Sequence, residues 1–218
     1  MVEENIIGHG TQCAGIAAGR THGVAKRANV IAVKPLDRDH ARMSNVLKAI
    51  EYVVDQHTAA KSIRGYKGAV ANMSISTARR VQLLNDAVDA AVRAGVHFAV
   101  AAGNGNEDAC EYSPAGASLA ITVAASTIRD ERASFSNHGK CIGIFAPGLE
   151  IESTWIGSRN ATYVLEGTSM ASPHIAELVA YLLSLQPSSR SGLRVPGGGR
   201  RGMLRRSTDA GGILIGPG

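Results

Sequence analysis

The chain reads as an α/β protein, a three-layer α/β/α arrangement with a mostly parallel sheet, incomplete at the N-terminus. Two observations predict it. Residues 28–34, 69–75, 96–102 and 119–124 are short, β-branched and nearly continuous apolar runs. Strands buried on both faces read this way. Amphipathic segments separate the first three runs, and strand–helix–strand order implies right-handed crossovers and parallel pairing.

The elements follow in order. Gly8-His9-Gly10-Thr11 opens a helix, and residues 28–34 (ANVIAVK) form a strand. In residues 45–57, Val46, Ala49, Ile50 and Val53 keep a 3-4 spacing, with Ser44 as the N-cap. After the strand 69–75, residues 81–94 form a second helix through Leu84, Ala87, Val88 and Ala91, and Gly95 ends it. Beyond Ala133, Gly, Pro and Ser punctuate short segments. Residues 151–155 and 162–165 flank Gly157-Ser158-Arg159-Asn160 and predict a hairpin. A last helix runs from about Ser169 to Leu185, with Pro173 expected in its first turn, where N–H groups have no intrahelical acceptor. Periodicity stops after Pro187. Residues 1–187 therefore make one domain and residues 188–218 a Gly/Arg-rich, disordered tail.

At 218 residues, 44% apolar and 19% charged, the chain has the composition of a globular domain with a sizeable core. It has no apolar run of about eighteen residues, so no membrane partner is expected. Met1 to Ile7 lacks an apolar h-region, so no signal peptide is read there. The net charge of +5 belongs to the tail: from Ser188 onward there are six arginines and one acid, Asp209. The remainder is neutral, so nucleic acid is not an expected partner. Of three cysteines, Cys13 lies one helical turn after His9 and reads as a small buried residue. Cys110 and Cys141 fall in loops and can pair in an oxidising compartment, although their separation is not readable from sequence.

Three segments carry residues suited to acyl transfer. In Glu166-Gly167-Thr168-Ser169-Met170-Ala171-Ser172-Pro173-His174, a small-residue turn delivers Ser169 to the start of a helix. Free N–H groups and the helix dipole favour a developing oxyanion there. The plain alternative is a capping serine. Gly8 and Gly10 clear side-chain bulk around His9, as a general base needs. Ala101-Ala102-Gly103-Asn104 ends a strand on a carboxamide that can donate to an oxyanion. The plain alternative is a turn asparagine.

In the order His, Asn, Ser these motifs resemble the subtilisin-like serine proteases, in particular the proteinase K branch and its fungal vacuolar proteinase B (cerevisin) group. The resemblance covers about Gly8 to Gln186 and includes HGTQCAG, GVAKRANVIAVK, ANMSIS, GVHFAVAAGN, NEDACEYSPA, FSNHGKCIGIFAPG, STWIG and GTSMASPH. It implies peptide-bond hydrolysis through an acyl-enzyme by a secreted or vacuolar monomer made as a zymogen. Its partners would be peptide or protein substrates and its own propeptide, and no cofactor is expected. His9 would be the general base, Ser169 the nucleophile, and Asn104 with the Ser169 N–H the oxyanion hole. Ser74, Ile75 and Ser76, with Ala101, Ala102 and Gly103, would border the substrate pocket.

The chain also departs from the family. The family's catalytic aspartate lies on a strand upstream of the His motif, where this chain offers only Glu3 and Glu4; its first Asp is Asp37. Loss of the acid alone costs a subtilisin about 3 × 10⁴ in kcat, on the order of 6 kcal/mol. The expected protease is therefore weak or inactive, and the alternatives are a non-catalytic peptide-binding derivative or a fragment. The missing strand would leave an unpaired edge or an open core face. Ser74-Ile75-Ser76-Thr77-Ala78 replaces a glycine-rich substrate edge, Arg38-Asp39-His40-Ala41-Arg42 replaces a Gly-Ser-Gly loop, and Gln12 stands where His is usual. Gly143 replaces a calcium-binding aspartate, so no metal is expected. Of two glycosylation sequons, Asn72 falls in a buried strand, whereas Asn160 lies in the hairpin turn and can carry a glycan.

Overall fold

A computed structural model describes residues 8–35, 42–186 and 212–216. Glu3, Glu4, Asp37 and the substitutions at 38–41 lie outside the described residues. The order is α1 (His9–Ala18), β1 (Asn29–Val33), α2 (Met43–Ala60), β2 (Ala69–Met73), α3 (Gln82–Arg93), β3 (Val96–Ala101), a short 3-10 turn (Ala109–Glu111), β4 (Ile121–Ser126), β5 (Ile144–Pro147), β6 (Ile151–Thr154), β7 (Thr162–Leu165), α4 (Thr168–Leu185) and β8 (Gly212–Gly216). Six strands form one sheet in the order β1-β8-β2-β3-β4-β5, and β6 and β7 form the expected antiparallel hairpin. The pairs β2–β3, β3–β4 and β4–β5 are parallel, and α3 joins β2 to β3 as the strand–helix alternation predicted.

The apolar strands are continuous because each face of the sheet has its own core. Along β2, Val70 packs with α1 and α4, whereas Ala69, Ala71 and Met73 pack with α2 and α3. Along β3, Ala99 takes the first face and Val96, Phe98 and Val100 the second. Side chains alternate with a period of two, so neither face tolerates charge. Each fully buried Val, Leu or Phe contributes roughly 1.5–3 kcal/mol relative to exposure. The stop of α3 falls as read, with Gly95 at φ +107.

Three sequence expectations need correction. Ser44 lies inside α2, which starts at Met43 with no side-chain cap. Met43 packs on the α2–α3 core, so apolar contact rather than a hydroxyl sets that helix start. Pro173 lies beyond the first turn, because α4 begins at Thr168. Residues 212–216, assigned to the disordered tail, form β8; Ile213, Leu214 and Ile215 supply the apolar triplet of a short strand. The rest of that tail lies outside the described residues. In the sheet, β8 lies between β1 and β2 and pairs antiparallel with both, which leaves β1 and β5 as the outer strands among the described residues.

Candidate active site

Both helices that begin at catalytic-type residues lie on one side of the sheet, and α1 packs on α4. Gly8, at φ +108, precedes α1 under the Trp155 ring; an added Cβ would meet that ring at 2.7 Å. This close approach is why a glycine precedes His9. Trp155 stacks on Tyr163 with centroids 4.9 Å apart, and Gln12 Nε2 donates to Ile151 O at 2.9 Å and to Tyr163 O at 3.2 Å. The hairpin is thereby tied to α1, and Gln12 is a fully buried fastener between them.

His9 and Ser169 share a neighbour. Cys13 Sγ lies 3.9 Å from His9 Nδ1 and 3.5 Å from the Ser169 carbonyl oxygen. The two motifs, 160 residues apart in sequence, thus flank one thiol, and both residues are half-buried. Burial pushes the Cys13 thiol up. The charge of His9, hydrogen bonds to His9 and Ser74 and a backbone bond outweigh burial, so the thiol ends below its ordinary value.

The start of α4 is arranged for an anion. Asn104 Oδ1 accepts from the Thr168 N–H at 2.9 Å and from the Thr168 hydroxyl at 2.8 Å. A backbone N–H can only donate, so this face of the amide is the oxygen and the Nδ2 group is turned the other way. Gly167, at φ +141, faces it: an added Cβ would sit 3.2 Å from Asn104 Nδ2. The N–H groups of Met170 and Ala171 return to Gly167 O at 3.0 and 3.4 Å. The Ser169 N–H has no acceptor among the described residues, so it and the Asn104 amide remain available at one point. The positive end of the α4 dipole lies there too.

Asn104 is exposed on a loop that sequence reasoning did not account for. Asn137, wholly buried, accepts from Gly105 N at 2.9 Å and Glu107 N at 3.0 Å, and donates to Ala102 O at 2.9 Å. It closes the loop around Asn104. Its only sequence signal is an asparagine between short segments, which marks a turn but not a brace.

The pocket border is divided. Ser76 is exposed, Ile75 half-buried, and Ala101, Ala102 and Gly103 are buried at the parallel ends of β2 and β3. Gly103, at φ +99, faces Ser76 closely enough that an added Cβ would lie 3.5 Å from Ser76 Oγ. Ser74 departs from its expected place: its side chain is 4% exposed and donates to the Ser169 carbonyl at 2.8 Å. The period of two turns it towards α4. Ser169 Oγ reaches the Ser74 carbonyl only at a long 3.5 Å. Asn72 is 1% exposed, which closes its sequon to modification, whereas Asn160 is exposed in the hairpin turn. Cys110 and Cys141 are bridged, with their Cα atoms 5.4 Å apart, and Cys13 is a buried free thiol.

The chain is similar to known proteins over most of its length. The subtilase family (peptidase S8) model matches residues 2–197. The chain is 57% identical over 195 residues to the subtilisin-like serine protease pepC of Aspergillus niger, covering 86% of this chain and 36% of that protein. It is 56% identical to alkaline protease 2 of Aspergillus fumigatus, covering 86% of this chain and 39% of that one. The chain thus spans well under half the length of these relatives. A crystal structure of a cold-adapted subtilisin-like serine proteinase superposes with a TM-score of 0.73 at 38% identity, covering 82% of this chain and 62% of that one. With the order of its site residues, its sheet and these matches in agreement, the chain belongs to the subtilase family.

Proposed function

We propose that this chain is a serine endopeptidase domain that hydrolyses peptide bonds through an acyl-enzyme. The observation that carries the reading is the start of α4, where Asn104 is anchored through its oxygen beside an unclaimed Ser169 N–H. Ser169 Oγ attacks the scissile carbonyl carbon while His9 takes its proton. The carbonyl oxygen becomes an oxyanion held by Asn104 Nδ2 and the Ser169 N–H. Collapse breaks the C–N bond, and the leaving amine receives the proton from His9. Water then repeats the attack on the ester, regenerating Ser169. Ser76, Ile75 and the Ala101–Gly103 strand end border the substrate.

An efficient imidazole base needs an orienting carboxylate, so the rate in this reading follows how His9 is oriented. The substrates are peptides or unfolded proteins, and a propeptide of the same lineage is a natural inhibitor. The reading also places the protein as a monomer in the secretory path, secreted or vacuolar. The Cys110–Cys141 bridge supports that, since such bridges persist in oxidising compartments. No described helix is long and apolar enough to cross a membrane.

A fluorophosphonate probe tests the proposal on the full chain. Labelling is expected at Ser169, lost in Ser169→Ala and in His9→Ala. Unlabelled protein that still unfolds cooperatively would overturn the catalytic reading in favour of a non-catalytic peptide-binding derivative.

A further inference from the structure

The Ser169 carbonyl has an uncommon partner. In an α-helix it would accept the N–H of the residue four positions on, but that residue is Pro173, which has none. The Ser74 hydroxyl donates to it instead, at 2.8 Å, and the weaker Cys13 S–H reaches the same oxygen at 3.5 Å. The direction of the Ser74 bond is forced. Its oxygen already accepts from Asn72 Nδ2 at 2.9 Å, which leaves its one proton for Ser169. Asn72 is itself oriented, because its Oδ1 accepts the Ser172 hydroxyl at 2.7 Å. A hydroxyl can also accept, yet this relay satisfies each group once and leaves no hydroxyl proton idle. Ser172, Asn72 and Ser74 are 0%, 1% and 4% exposed, so water does not compete.

We infer that Ser74, oriented by Asn72 and Ser172, is a positioning residue for the nucleophile, standing in for the backbone N–H that Pro173 removes. This rests on the assignment of Ser169 made above. Pinning the carbonyl fixes ψ of Ser169, and with it the direction of its Cα–Cβ bond and N–H. In that first turn Met170 and Ala171 also donate to Gly167 O. The relay runs from α4 to β2 and back, so it ties the nucleophile to the sheet and to its own helix one turn on. The Asn104–Thr168 bonds hold the residue before Ser169 in the same way from the loop that follows β3. Ser169 is therefore clamped by the segments that follow two neighbouring strands, and its hydroxyl is left for chemistry.

The test uses the rate of fluorophosphonate labelling of Ser169 in the full chain, with thermal unfolding as a check on folding. Ser74→Ala is expected to slow labelling on the order of tenfold, since small misplacements of a reacting group cost one to two orders of magnitude. Pro173→Ala returns an N–H to the Ser169 carbonyl, so in that background Ser74→Ala should cost less than about threefold. A side chain that only fills space would cost the same in both backgrounds, and that result overturns the inference, as does unchanged labelling of Ser74→Ala with Pro173 in place. If Ser74→Ala does not fold, Ser74→Cys, a weaker donor, takes its place in the same comparison. A folded unsubstituted chain that takes no label overturns the assignment of Ser169 itself. A label at Ser169 that is indifferent to Ser74 overturns only the clamp.

Discussion

Replacing Glu177 by glutamine should change how stability depends on pH. Glu177 lies on the buried side of α4, 4% exposed, and its Oε2 accepts the Val24 N–H at 2.8 Å from the loop that joins α1 to β1. Burial raises its carboxyl from 4.5 to about 7, against the opposing pull of that N–H and of Lys26. A group whose native value lies above its unfolded value binds protons more tightly when folded. Between about 4.5 and 7 the native state therefore holds more protons than the unfolded chain, and stability falls as pH rises through that window. The upper limit of the effect is about 3.5 kcal/mol, at about 1.4 kcal/mol per pH unit between 4.5 and about 7. His57 and His174 act in the opposite sense. Burial lowers both, helped at His57 by Lys61 and His97 and partly offset at His174 by its bond to the Met170 carbonyl, so acid below 6.5 destabilises the fold through them. The difference between two proteins that share these histidines cancels their contribution. Urea unfolding of the two chains should therefore give nearly equal free energies at about pH 5 and a more stable Glu177→Gln at about pH 8. Glutamine keeps an acceptor for Val24, so the loop contact survives. Parallel pH profiles for the two proteins would show that Glu177 is ionised at no unusual cost and would refute the argument.

Two further outcomes are expected. Asn104→Ala should reduce Ser169 labelling about 10²–10³-fold, the range for loss of one oxyanion donor in a subtilisin, and should lower the melting temperature by a few degrees, because the buried Thr168 N–H and hydroxyl lose their acceptor at a cost of about 1–3 kcal/mol; labelling rates and a thermal melt check it. Replacing both Cys110 and Cys141 by alanine opens a loop with a sequence separation of 31 and should cost about 3–4 kcal/mol in a denaturant titration.

The sheet and its helices were legible because their signals are local. Residues that alternate between two apolar faces must be apolar throughout, and β2 and β3 are. The 3-4 spacing of α2 and α3 was equally direct. His9, Asn104 and Ser169 stood out as candidates because small residues bracket each one. What escaped depends on partners far along the chain. The pairing of β8 is set by β1 and β2, roughly 180 and 140 residues earlier, and a Gly-flanked apolar triplet does not announce that. Gln12 looked like a replaced histidine and proves to hold the hairpin. Asn137 has no local signature, because its task is to satisfy backbone groups of another loop.

Ser74 shows how a partial signal was available. Val70, Asn72 and Ser74 occupy alternate positions, so they share one face, and Val70 packs in the core beneath α1 and α4. Two polar side chains on that face are costly unless each finds a partner. The helix above supplies it in Ser172 and the Ser169 carbonyl, and the carbonyl is free only because a proline follows four residues later. The letters Gly-Thr-Ser-Met-Ala-Ser-Pro can then be read as geometry. Gly167 leaves room at the Asn104 amide, and Thr168 fixes that amide by its oxygen. Ser169 keeps an unclaimed N–H, Ser172 sets the relay, and Pro173 frees the carbonyl that the relay ends on. A motif that seems to specify one hydroxyl specifies the direction of every polar group around it.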